Sequence, residues 1–170
     1  MSDAKKALWD ISYGVYIVSS VDGEKKNGQI ITTAFQVTAE PPQIAVCINK
    51  ETLTHEYITK SKKIGVSVLE QDVPMTFIGT WGFKSGRNID KFKDAKFKMG
   101  EATGVPLVLD YTLSVMELNV LSSQDVGTHT LFIGEVVNSE VIKEGTKLTY
   151  EYYQKEKKGK SPKAAPTYHG

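Results

Sequence analysis

Residues 27–50 read NGQIITTAFQVTAEPPQIAVCINK, and this stretch decides the fold. Ile31, Thr33, Phe35 and Val37 alternate with Thr32, Ala34, Gln36 and Thr38, the period of two that a half-buried strand requires. A Pro-Pro corner follows, and Ile44, Val46 and Ile48 then alternate with Ala45 and Cys47 in a second strand. The face made of Thr32, Ala34, Gln36 and Thr38 is too small and polar to fill a core. It is either a solvated face or a flat surface for a planar ligand, with hydroxyl, amide and backbone groups offered to the ligand's edge.

Outward from this stretch, residues 4–11 place Ala4, Leu8 and Ile11 on one side of a short amphipathic helix leading into a strand over residues 14–20. Asp22-Gly23 marks a hairpin turn. After Lys50, the spacing of Leu53, Tyr57 and Ile58 predicts a helix with Thr52 or Thr54 as N-cap. Residues 64–69 read as a buried strand and residues 73–79, after Pro74, as a short helix. The glycine-punctuated TWGFKSGRNID over residues 80–90 reads as a long loop of the kind that is usually functional. Strands are expected over residues 107–121, bent near Asp110, and over residues 130–142. Few helices and frequent turns favour an antiparallel barrel over a parallel doubly wound sheet. The tail, with Pro162 and Pro166, is expected to be either disordered or pinned across a neighbour by its tyrosine.

A length of 170 residues fits one domain with one core. Hydrophobic residues at 40% and charged residues at 24% are ordinary for a globular chain. No apolar run is long enough to span a membrane, and the N-terminus lacks a secretory pattern. A single cysteine, Cys47, allows no internal disulfide, so a cytoplasmic location is expected. The formal charge of +1 provides no field for a nucleic-acid backbone, which makes nucleic acid an unexpected partner. Of the 21 Lys and Arg only Arg87 is arginine, and its planar fork suits phosphate or carboxylate.

The sequence contains no paired carboxylates, no metal-type Cys/His spacing, no Ser/His/Asp order and no Walker loop, so hydrolytic and metal chemistry have no support. Cys47 in its apolar strand reads as core rather than nucleophile. Lys50, Thr52, Thr54 and His55 at a helix start could bind an anion or simply cap the helix. His129 in GTHTLF is either a ligand-facing side chain or a loop histidine.

Five segments in order, NGQIITTAFQVTAEPP, CINKETLTHEYI, GFKSGRNIDKF, GTHTLFIGEV and GKSPKAAPTY, resemble the flavin reductase-like family of FMN-binding split barrels, nearest its flavoredoxin and rubredoxin-linked branch. The resemblance implies a mainly β, antiparallel split barrel over residues 1–158 with a few short peripheral helices, and an extended tail over residues 159–170. It implies a homodimer and an FMN-dependent oxidoreductase that takes hydride from NADH or NADPH and passes electrons to a protein acceptor or free flavin. The alternative is an electron carrier reduced only by protein partners.

Carried onto this chain, the resemblance sets the flavin ring against Thr32, Thr33, Ala34, Phe35 and Gln36, with Asn27, Gly28 and Gln29 close by. The phosphate is expected near Asn49, Lys50, Thr54 and His55, with Ser85, Arg87 and Lys91 closing from the second loop. His129 takes the place of a Gly-Asp-His histidine associated with nicotinamide, with Thr128 in place of the aspartate. The resemblance runs through Tyr168, and any rubredoxin is expected as a separate protein.

Overall fold

A computed structural model describes residues 3–168 of the chain, without the side chain of Ala4. A helix α1 (Asp3–Ala7) and a 3-10 turn (Leu8–Asp10) precede the hairpin β1 (Tyr16–Asp22) and β2 (Lys25–Ile31). Gly23 turns that hairpin at φ 59°, a backbone position glycine occupies without penalty. There follow β3 (Ala34–Ala39), β4 (Pro42–Asn49), α2 (Leu53–Ser61), β5 (Lys63–Leu69) and α3 (Met75–Phe83). The second half contains β6 (Phe97–Met99), β7 (Pro106–Val108), β8 (Thr112–Asp125), β9 (His129–Val141) and α4 (Tyr150–Lys155).

Seven strands form one antiparallel sheet in the order β2-β1-β5-β8-β9-β4-β3, and β6 and β7 pair beside it. The two edge strands, β2 and β3, are successive in the chain with only Thr32 and Thr33 between them. A link that short reaches roughly 10 Å, so the sheet must curl until its opposite edges nearly meet. The result is an antiparallel split barrel, mainly β with short peripheral helices.

Thr33 makes the switch between edges. Its Oγ1 donates to the Cys47 carbonyl at 2.8 Å, and its own carbonyl accepts from Cys47 N at 3.0 Å, so the backbone leaves its pairing with β1 and starts pairing with β4. The single strand expected over residues 31–38 is therefore two strands on opposite edges. The face expected to be buried is divided accordingly: Ile31 is buried, whereas Phe35 and Val37 stand exposed on the edge.

Apolar residues on successive positions of β1 point to opposite sides and build two cores. Val18 joins Ile31, Val46, Ile48, Ile64, Val66, Leu118 and Phe132 inside the curl, which Ile58 of α2 helps to close. Ile17 joins Leu69, Ile78, Trp81, Phe92, Leu148, Tyr150 and Tyr153 on the outer face, where α3 and α4 lie. Helix α3 runs on to Phe83, four residues into the expected loop, because Trp81 turns inward, 2% exposed, with its ring edge-on to Phe92 at 5.1 Å. Leu8 and Ile11, expected on a buried helix side, are about half exposed at 51% and 50%. The strand expected to begin at residue 107 is interrupted at Tyr111, φ 54°, which separates β7 from β8.

The tail packs on its own chain. Lys158 takes a left-handed conformation (φ 56°), and Gly159 then passes so near Tyr153 that a Cβ there would fall 2.0 Å from the ring. From that turn, residues 160–168 run back over the seam of the barrel.

Candidate functional site

A cavity of about 340 Å³ follows the seam where β2 faces the end of β4. That volume lies at the small end of the range for ligand pockets. One wall is Asn27, Gln29 and Thr32, another is Asn49, Thr52 and His129, a third is Trp81, Ser85, Gly86 and Lys91, and residues 160–167 cross the opening. Six expected cofactor contacts, Asn27, Gln29, Thr32, Asn49, Ser85 and Lys91, come together here with His129.

Of the charged residues lining this cavity, Glu51, Lys84 and Lys160 are exposed and Lys91 is buried. Only 7% exposed, its ammonium donates to the carbonyls of Gly28 at 2.9 Å and Trp81 at 3.2 Å, and it pairs with no carboxylate among the described residues. Burial pulls its pKa down from 10.5 to about 8. Gly28 thus serves through its carbonyl, from behind the wall. Gly86 has a steric reason: a Cβ would come within 2.0 Å of Asn27 Oδ1, so glycine lets the 84–91 loop close on β2. Asn27 Nδ2 in turn donates to the buried Thr54 Oγ1 at 2.9 Å, which ties β2 to the first turn of α2. Thr52 caps that helix by accepting from His55 N at 3.3 Å.

His129 is 9% exposed and held on both ring nitrogens. Nε2 lies 3.1 Å from the Ala164 carbonyl, which can only accept, so Nε2 carries the proton. Nδ1 then accepts from Thr128 Oγ1 at 2.8 Å. Burial lowers the imidazole pKa and the Ala164 contact opposes this only in part, so His129 is a neutral donor at neutral pH. A hydroxyl at position 128 suits that neutral ring, where an aspartate would favour the charged one.

The remaining expected residues lie away from the cavity wall. Lys50 pairs with Asp125 at 2.5 Å, and His55 Nε2 meets Thr130 Oγ1 at 2.7 Å with its ring beside Phe132. Burial first, then the charge of Lys50, and that of His129 whenever it is protonated, lower the His55 pKa. Arg87 pairs with Glu56 at 3.2 Å in a half-exposed bridge. Thr33, Ala34, Phe35 and Gln36 follow the other edge of the sheet. Sequence reasoning missed Trp81, Tyr150, Tyr153 and the tail's Ser161 and Thr167 as wall residues; only the GKSPKAAPTY segment carried a signal for any of them.

A model of the flavin reductase like domain matches residues 8–161. The chain belongs to the flavin reductase-like family. The ferric-chelate reductase (NAD(P)H) of Archaeoglobus fulgidus is 49% identical over 163 residues, 96% of each chain. The high molecular weight rubredoxin of Moorella thermoacetica is 45% identical over 163 residues, 96% of this chain and 71% of that one. Among solved structures, an FMN-binding protein of Thermus thermophilus superposes with a TM-score of 0.70 at 26% identity, over 78% of this chain and 72% of that one. The NADH:FAD oxidoreductase of Streptomyces globisporus shares the fold at a TM-score of 0.71 and 24% identity, over 81% of each chain. This flavin reductase-like chain is an enzyme of the flavin reductase type. Its cavity fits a flavin, since a buried ammonium with no carboxylate partner among the described residues and the N-terminus of α2 suit a phosphate, and Trp81, Gln29 and Thr32 border space for a ring.

Proposed function

We propose that the enzyme holds FMN in the seam cavity, takes hydride from NADH or NADPH, and passes the electrons to a protein acceptor or to free flavin. The observation that carries this reading is Lys91: a buried ammonium, here without a carboxylate partner among the described residues, is costly unless an anion completes it. FMN ends in one phosphate, and the Thermus neighbour is named an FMN-binding protein.

When bound, the flavin supplies the redox chemistry, accepting a hydride and releasing its electrons to the acceptor. The chain's task is placement. Lys91, Ser85 and the first turn of α2 would hold the phosphate, with Arg87 one residue beyond the cavity. Asn27, Gln29 and Thr32 would border the ring, with Gly28 and Thr54 supporting them from behind. His129, a neutral donor, would face the nicotinamide, and the tail and Trp81 would exclude water.

A homodimer is part of the same reading. Phe35 and Val37, 61% and 47% exposed, stand on the edge strand β3, which pairs with β4 on one side only and begins two residues from Thr32. A neighbouring chain over that edge would cover them and bring Thr33, Ala34 and Gln36 beside the flavin. For the acceptor, the Moorella relative's name favours a rubredoxin-type protein, and the Archaeoglobus relative's name supports a ferric chelate as a second reading. Among the described residues no helix is long and apolar enough to cross a membrane, which is consistent with the cytoplasmic location proposed here.

Equilibrium dialysis against FMN, FAD and riboflavin tests the binding half of the proposal. FMN should be retained most tightly. Equal affinity for FMN and riboflavin would remove the phosphate site, and retention of none of the three would remove the flavin.

A further inference from the structure

Asn49 Nδ2 and His129 Nε2 each lie 3.1 Å from one acceptor, the main-chain oxygen of Ala164. Both donors are fixed from behind. Asn49 Oδ1 accepts from Glu51 N at 2.9 Å, which sets the amide with its nitrogen toward the tail, and His129 Nδ1 accepts from Thr128. Two preset donors aimed at a single amide oxygen form a clamp, and a nicotinamide carboxamide presents the same kind of oxygen as a peptide bond.

The tail that fills the clamp is held at its ends more than at its middle. Tyr153 Oη donates to the Lys160 carbonyl at 2.8 Å, and Tyr150 bonds Ser161. Ser161 and Thr167 share a hydrogen bond at 3.1 Å, and Thr167, 3% exposed, meets Thr32 at 3.5 Å. Between these anchors Lys163 and Ala164 face solvent, so this middle segment has little apolar surface to lose if it lifts.

We propose that Asn49 and His129 are the receptors for the nicotinamide carboxamide oxygen, and that the 160–167 strap is a built-in competitor whose Ala164 carbonyl must leave before the nicotinamide enters. This rests on the nicotinamide reading above. Apparent affinity is the intrinsic affinity multiplied by the fraction of molecules in which the strap is lifted. Asn49 on this account serves the hydride donor rather than the flavin phosphate.

The test uses full-length protein carrying Ser161→Ala with Thr167→Val, which loosens both anchors. Calorimetric titration with NAD+ should give a Kd threefold to thirtyfold lower than in the unaltered protein. In the unaltered protein, saturating NAD+ should speed deuterium uptake in residues 160–168, and a synthetic peptide of residues 160–168 should compete with NAD+ for the loosened variant. Asn49→Ala should weaken NAD+ and also speed uptake in the strap. An unchanged or higher Kd in the loosened variant, slower strap exchange with NAD+, or no competition by the peptide would overturn the proposal. If NADH reduces the bound flavin of unaltered protein while these results go against the strap, the strap alone is wrong. If NADH does not reduce it, the nicotinamide reading is lost and the clamp with it.

Discussion

Lys91 Nζ lies 2.9 Å from the carbonyl oxygen of Gly28, buried and without a carboxylate partner among the described residues. Its pKa, lowered by burial to about 8, sets a pH dependence for the cofactor. A phosphate beside the ammonium favours the charged form, so binding above pH 8 must take up a proton. FMN affinity should therefore fall between pH 7.5 and 9, by up to about tenfold per unit once the pH exceeds the pKa. Riboflavin affinity should stay flat, and Lys91→Met should abolish the slope for FMN. A slope shared by both ligands would place Lys91 away from the phosphate.

Arg87 has the opposite surroundings. Its bridge to Glu56 is half exposed on both sides and screened by solvent, so exchanging that partner for a phosphate costs little. A charge-assisted hydrogen bond is typically worth about 1.5 to 3 kcal/mol, and Arg87→Ala should weaken FMN roughly tenfold to a hundredfold with riboflavin unaffected. Glu56→Gln, which frees the guanidinium, should tighten FMN slightly. Equal losses for FMN and riboflavin on Arg87→Ala would confine Arg87 to the surface bridge.

The exposed edge strand leads to an assembly prediction. A charge at Phe35 cannot be buried without a partner, so Phe35→Asp should convert a dimer to a monomer in sedimentation velocity and weaken FMN in step. Unaltered protein sedimenting as a monomer that still binds FMN tightly would contradict this.

Away from the site, Glu117 is 1% exposed. Burial alone would raise its pKa, but hydrogen bonds from Asn138, Thr103 and Ala102 outweigh this and hold the carboxyl below the usual range. A depressed carboxyl contributes stability above its unfolded pKa and loses it as the pH falls through the folded one. Glu117→Gln should destabilise the protein by about 1 to 3 kcal/mol at pH 7, with the difference from unaltered protein shrinking in acid. A difference independent of pH in chemical denaturation would show that the charge is not what matters.

The alternation in 27–50 and the Asp22-Gly23 turn made the antiparallel architecture legible, because both signals are local. The break at Thr33 was not, since a period of two continues across it and only the meeting of distant sheet edges ends the strand. For the same reason Phe35 and Gln36 were expected on one surface with Thr32, whereas Asn27, Gln29 and Thr32 line the cavity and Phe35 and Gln36 follow the other edge of the sheet. Lys91 came with the resemblance, but its burial depends on Trp81 and Gly28 arriving from other elements. Tyr150 and Tyr153 were not legible as wall residues, because their place at the cavity depends on the turn at Lys158 and Gly159 over the Tyr153 ring.

The most direct measurement is an anaerobic titration of the FMN-loaded protein with NADH and with NADPH, followed in the flavin's visible absorption band. The account predicts that at least one of them bleaches the band stoichiometrically and that air restores it. A spectrum unchanged by both donors, with FMN demonstrably bound, would contradict it and leave a carrier reduced only by protein partners.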